Sequence, residues 1–110
     1  MFEDLYDSIR MLFSWRWPTA PAEITGVSIE RLHRGEENEE LRLCVWYKFY
    51  VGDDGPYSGE SFWKPIFTFG IVKRMRAAVS TMKRKHTVPV RYRADDPSQN
   101  KLDSEAWRDL

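Results

Sequence analysis

The sequence predicts an α+β domain: four to five mostly antiparallel strands, as an open sheet or a partial barrel, with one amphipathic helix packed on the sheet and another at the N-terminus. Three observations carry that expectation. Residues 41–51 form the longest uninterrupted run of strand-forming residues, and within it Leu41, Leu43, Val45, Tyr47, Phe49 and Val51 alternate so that all six share one face of a pleated strand. Over 68–84 the period changes, and Ile71, Val72, Met75, Ala78, Val79 and Met82 recur at helical spacing opposite Lys73, Arg76, Lys83 and Arg84. Five Trp, five Tyr and six Phe in 110 residues bury large areas each, which lets one small core stabilise itself without disulfides.

Taken in order, residues 1–16 read as an N-terminal amphipathic helix and 17–110 as a single β-rich domain. Leu5, Ile9, Leu12 and Phe13 are helically spaced, Glu3, Asp4 and Asp7 complement the helix dipole at its start, and Pro18 sets its end. Trp15 and Trp17 beside Arg16 also suit a membrane interface. The polar side, however, opens with three acids instead of lysine and arginine, which favours packing on the domain itself. Pro18-Thr19-Ala20-Pro21 is a stiff connector, and 23–32 alternates as a first strand buried mainly through Val27 and Ile29. Gly35 and the acidic run 36–40 form a solvated loop.

The even positions of the second strand, Arg42, Cys44, Trp46, Lys48 and Tyr50, mix charge with aromatic groups, so that face is only half covered. Gly52-Asp53-Asp54-Gly55 supplies a hairpin turn, and a third strand runs over 57–64 until Pro65. Thr68 is the expected N-cap of the helix, with Gly70 weakening its first turn. A fourth strand covers 87–93, with Val88, Val90 and Tyr92 inward and Pro89 outward, which places it at a sheet edge. The polar residues 95–100 read as a turn, and Leu102 and Trp107 pin the tail back.

Charge is zero overall but uneven. Up to Glu60 there are 12 acidic against 6 basic residues, beyond it 5 against 11, and no carboxylate occurs over 61–94. Such asymmetry points either to an anionic partner or to neutralisation within the fold or across a dimer. The single Cys44 has no internal partner, there is no basic leader, and no apolar run reaches the roughly 18–20 residues a bilayer needs, so a reducing, cytoplasmic setting is expected, with contact at the inner membrane as its peripheral variant.

Chemistry is sparse. There is no phosphate-binding glycine loop, no zinc spacing and no nucleophile elbow. His33 and His86 fall in or beside loops, Cys44 on a strand is better read as packed and inert, and the pairs Asp53, Asp54 and Asp95, Asp96 sit in turns that favour aspartate for its own backbone bonds. No enzyme, cofactor or metal is expected.

Several motifs in order resemble a known family. Trp17-Pro18 precedes Ala22-Glu23-Ile24-Thr25-Gly26-Val27; then come Val45-Trp46-Tyr47-Lys48-Phe49-Tyr50-Val51 and Tyr57-Ser58-Gly59-Glu60; last come Val88-Pro89-Val90-Arg91-Tyr92-Arg93-Ala94-Asp95-Asp96-Pro97-Ser98 and Leu102. Over 17–102 this resembles the bacterial family called domain of unknown function 3592. The resemblance implies a small β-rich module set beside transmembrane helices, and brings no activity or catalytic residue with it. Two features depart from the family: the membrane helices, and Arg93-Ala94 where an Asp-Pro is usual.

The leading functional expectation is a non-catalytic interaction module working through protein contacts, as a homodimer through Trp46 and Tyr50. The alternative is a peripheral module drawn to anionic lipid or nucleic acid by the basic helix 73–85, through Lys73, Arg76, Lys83 and Arg84. Nucleic acid is the weaker form of that alternative, since a recognition-motif glycine and aromatic pattern is missing. A third reading, an unrecognised enzyme or small-ligand binder, requires a deep pocket with convergent polar groups.

Overall fold

The computed structural model describes residues 16–33, 39–65 and 70–110. In it β1 is Thr19–His33, β2 Glu39–Val51, β3 Asp54–Trp63, β4 Thr87–Arg93 and β5 Asp96–Leu102; helix α1, Ile71–Lys85, lies between β3 and β4, and a 3-10 turn at Ser104–Trp107 follows β5. The strands form one sheet in the order β3-β2-β1-β4-β5, every neighbouring pair antiparallel. With α1 packed on that sheet, the α+β class and the antiparallel strands expected from the sequence are present. The Thr68 cap is corrected: the helix begins only at Ile71, with Gly70 as its N-cap in the left-handed conformation and no side-chain cap. Of the loop expected over 35–40, Glu39 and Glu40 already belong to β2; the rest of it, and residues 1–15 of the expected N-terminal helix, lie outside the described residues.

The alternation in β2 does what its period requires. Leu41, Leu43, Val45, Tyr47 and Phe49 are all buried and Val51 is half-buried, so one strand supplies the floor of the core. Met75, Ala78 and Met82 of α1 close onto it, joined by Ala22, Val88, Val90 and Leu102. Each large side chain so buried stabilises the fold by about 1.5–3 kcal/mol. Val72 was expected in the same stripe but is 46% exposed. It lies about 60° round the helix from Met75, beyond the arc that the sheet covers.

Four further expectations are corrected. A bulge in β1 between Ile24 and Gly26 reverses its alternation, so Ala22 and Ile24 face the core before it and Val27 after it, while Ile29 is 36% exposed near the strand's far end. The hairpin turn is tighter than four residues: β3 already begins at Asp54, leaving Gly52 and Asp53 at the tip, with Gly52 at φ 59 where a side chain is disfavoured. Strand β4 is interior, between β1 and β5. Pro89 is tolerated there because it opposes Pro21 on β1, while towards β5 it only accepts a bond, from Asp103 N, on the last rung of that ladder. Finally, 96–102 is a strand and the turn shrinks to residues 94–95. A strand at the end of a sheet keeps one edge in solvent, so a polar composition does not forbid it.

Candidate functional site

Because the odd residues of β2 face the core, its even residues face outward with their cross-strand neighbours. Trp46 lies opposite Gly26 of β1 and Glu60 of β3; Cys44 lies opposite Ser28 and Phe62. Trp46 is 37% and Phe62 42% exposed, and the register makes them diagonal neighbours on one outer face. The glycine opposite Trp46 gives the indole its bed, since a Cβ on Gly26 would already touch ring carbon Cε3. Tyr50, 53% exposed, lies four residues further along β2, beside the Gly55 hairpin end and beyond Lys48. The register therefore sets Phe62 nearer to Trp46 than Tyr50, which lies further along the same outward row.

The charges on this face are compensated locally. Arg42 stacks on the Phe62 ring, 3.8 Å from its centroid, and pairs with Glu30 at 2.9 Å. The same carboxylate accepts the Cys44 thiol at 3.1 Å. Those two hydrogen bonds, from Arg42 first and Cys44 second, hold the Glu30 carboxyl below its usual range. Glu60 accepts the Trp46 indole N–H, Lys48 pairs with Glu23 at 3.6 Å, and just past β3 Lys64 pairs with Glu40 at 2.6 Å. Cys44 itself is fully buried, and burial, with the Glu30 hydrogen bond and charge added, pushes its thiol up to about 11. At neutral pH that group is a thiol and not the nucleophilic thiolate.

A second feature runs along the two ends of the sheet. Strands β3 and β5 run parallel, and side chains bridge them. The Tyr47 hydroxyl donates to Asn100 Oδ1 at 2.6 Å, Asn100 Nδ2 donates to Ser58 O at 3.3 Å, and Leu102 N donates to Ser61 Oγ at 3.1 Å. Gly59 sits under this crossing, where a Cβ would collide with Asn100 Oδ1 and the Tyr47 ring. Beyond Leu102 the gap widens into a shallow depression of about 540 Å³ between Phe62, Arg91, Lys101 and Trp107. Its polar groups serve the fold: Arg91 pairs with Asp103 and donates to Trp17 O at 2.9 Å.

The third feature is the outer arc of α1. Lys73, Arg76, Lys83 and Arg84 are all exposed, and among the described residues none of the four is in an ion pair. The other cations of the helix are engaged: Arg74 lies over the Trp63 ring at 5.6 Å, and Lys85 donates to Ala106 O at 2.9 Å and Arg108 O at 2.6 Å. Since α1 covers the core side of the sheet and Trp46 and Phe62 stand on the outer side, the aromatic and cationic groups are not combined in one surface.

Among the described residues no three His, Cys, Asp or Glu side chains are grouped to hold a metal, and no helix is long and apolar enough to cross a membrane. Sequence reasoning missed Phe62. The two-residue tip alone would turn Phe62 to the core face; the register irregularity between Phe49 and Val51 shifts the pairing by one residue and sets it opposite Cys44, because a one-residue slip exchanges the faces of a strand. No family model, no curated protein and no solved structure matches the chain.

Proposed function

We propose that the chain is a non-catalytic interaction module that self-associates through the outer face of β1, β2 and β3. One observation carries the reading: Trp46 and Phe62, diagonal neighbours on the outer face, are both partly exposed while the charges around them are already paired within the face. Exposed aromatic groups in such surroundings are the anchors on which protein interfaces are built. A surface for a polyanion would leave its cations unpaired. Here Arg42, Lys48 and Lys64 each hold a carboxylate, and Glu23, Glu30 and Glu60 would repel phosphate.

A second copy of the chain fits this face. Its three cations and four carboxylates leave it close to neutral, so two copies related by a twofold axis meet without net repulsion, aromatic against aromatic. The bonds across the β3–β5 gap support a partly open barrel as the body that presents it. The strand order and the parallel gap resemble the five-stranded barrel of oligonucleotide- and oligosaccharide-binding domains, a likeness of connectivity that implies no ligand.

Sedimentation velocity over a concentration series tests the proposal. The wild-type chain is expected to dimerise and to dissociate on dilution, and Trp46→Ser with Phe62→Ser to remain monomeric with an unchanged melting curve. A wild-type monomer at every concentration, or a dimer indifferent to both substitutions, overturns it.

A further inference from the structure

We propose that the outer arc of α1 docks on the surface of a membrane bearing anionic lipid. Lys73, Arg76, Lys83 and Arg84 fall on one side of a 15-residue helix whose opposite side is fixed to the core through Met75, Ala78 and Met82. From Lys73 to Arg84 the line is about 16 Å long. Ser80 lies within this arc and Ala77 just beyond its edge, and neither rises above the cations. The four head groups therefore reach a common plane, on a helix already held in place by the sheet.

The stability of the helix does not explain this pattern. Lys83 and Arg84, in the last turn, complement the dipole, but Lys73 sits in a first turn that contains no acid, where a cation opposes it. Lys73 and Arg76 are also like charges three residues apart, a spacing that destabilises an isolated helix. With no carboxylate over 61–94, nothing nearby in the chain offsets them. A layer of anionic head groups supplies what the chain omits.

A lipid surface fits the arc better than a nucleic acid does. The arc carries no Asn, Gln, His or aromatic side chain, so it offers no amide to pair with an adenine edge and no ring on which a base could stack. What it offers is a flat row of cations, with Val72, 46% exposed, at the N-terminal end as a small apolar foot. Attraction of this kind scales with the number of cations near the surface and is screened by salt. Four cations correspond to about 1,000-fold stronger partitioning onto anionic than onto neutral bilayers at low salt, and each one removed lowers it about fivefold.

The test is flotation of the full chain with vesicles of phosphatidylcholine alone and of phosphatidylcholine with an equal part of phosphatidylglycerol, at low and at physiological salt. Parallel arms use double-stranded DNA and a single-stranded oligonucleotide. The expected result is binding only to the anionic vesicles, released by salt, and abolished by Lys73→Glu, Arg76→Glu, Lys83→Glu and Arg84→Glu together. A single change, Ser80→Glu, guards against misfolding: it puts a carboxylate four residues before Arg84, which favours the helix, yet it places an anion in the middle of the arc and is expected to weaken binding several-fold without lowering the melting temperature. No binding, equal binding to neutral vesicles, binding unchanged in the charge-reversed chain, or binding to nucleic acid in preference to vesicles overturns the proposal.

Discussion

The Tyr47 hydroxyl donates to Asn100 Oδ1 at 2.6 Å, joining the inner face of β2 to β5 across 53 residues of chain. The same hydroxyl lies 3.4 Å from Ser61 Oγ, which in turn accepts from Leu102 N, so one buried phenol organises the bonds by which the two ends of the sheet meet. Removing the oxygen leaves Asn100 and Ser61 short of a partner in a part-buried setting. Tyr47→Phe is expected to lower stability by about 1–3 kcal/mol. Combined with Asn100→Ala it should cost less than the two separate losses together, because both changes cut the same bond. Urea unfolding of the four proteins in the cycle measures this, and strictly additive losses would show that the bond contributes nothing.

Cys44 makes a prediction at alkaline pH. Its thiol is pushed from 9.0 up to about 11 in the folded chain, by burial first and by the Glu30 carboxylate second. A folded-state value above the unfolded one means that the contribution is fully present below about pH 9 and is lost as pH rises through about 11, since only the unfolded chain ionises easily in that window. Thermal melts of wild type and Cys44→Ala from pH 7 to above 10 should converge as pH rises, after allowance for Tyr47, whose hydroxyl is also raised by burial. Thiol labelling should be slow in the native chain at neutral pH and fast in denaturant. Rapid native labelling would contradict the buried position.

Asp103 has the opposite sign. Burial raises its carboxyl, but the hydrogen bond from Arg91 and the backbone N–H groups of Glu105 and Ser104 outweigh burial and hold it below 3.8. The stability it contributes is present above the unfolded value near 4 and is lost as pH falls through the lower folded one. In acid titrations followed by circular dichroism, Asp103→Asn should therefore unfold with a shallower dependence as pH falls below about 4, from a lower starting stability. The pair also ties the tail to the entry of β1, because Arg91 donates to Trp17 O as well. Arg91→Met is accordingly expected to loosen the 3-10 turn that Asp103 caps, read as faster amide exchange at Glu105.

The comparison of sequence with structure turns on how far each signal reaches along the chain. Periodicity is local, so the inward row from Leu41 to Phe49, the buried arc of Met75, Ala78 and Met82, and the inward set Val88, Val90 and Tyr92 were all legible, and burial bears them out or, for Tyr92, shows it half-buried against the core. Composition misled at 96–102, where polar residues form a strand because the ladder to β4 supplies the backbone bonds that apolar burial does not. The Pro89 edge assignment failed for a related reason: whether a missing N–H matters depends on what lies opposite, which is a property of the neighbouring strands.

For the surfaces, the sequence alone determined which groups exist: an outward row on β2 with Trp46 and Tyr50, and a cationic arc on a carboxylate-free helix. Only the tertiary structure decided their company. The irregularity in the hairpin between Phe49 and Val51 put Phe62 diagonal to Trp46, cross-strand register delivered a carboxylate to each cation of the sheet face, and among the described residues helix packing left Lys73, Arg76, Lys83 and Arg84 without one. Side-chain identity is written residue by residue, whereas charge pairing depends on distances that exist only once strands far apart in the chain lie about 5 Å from one another.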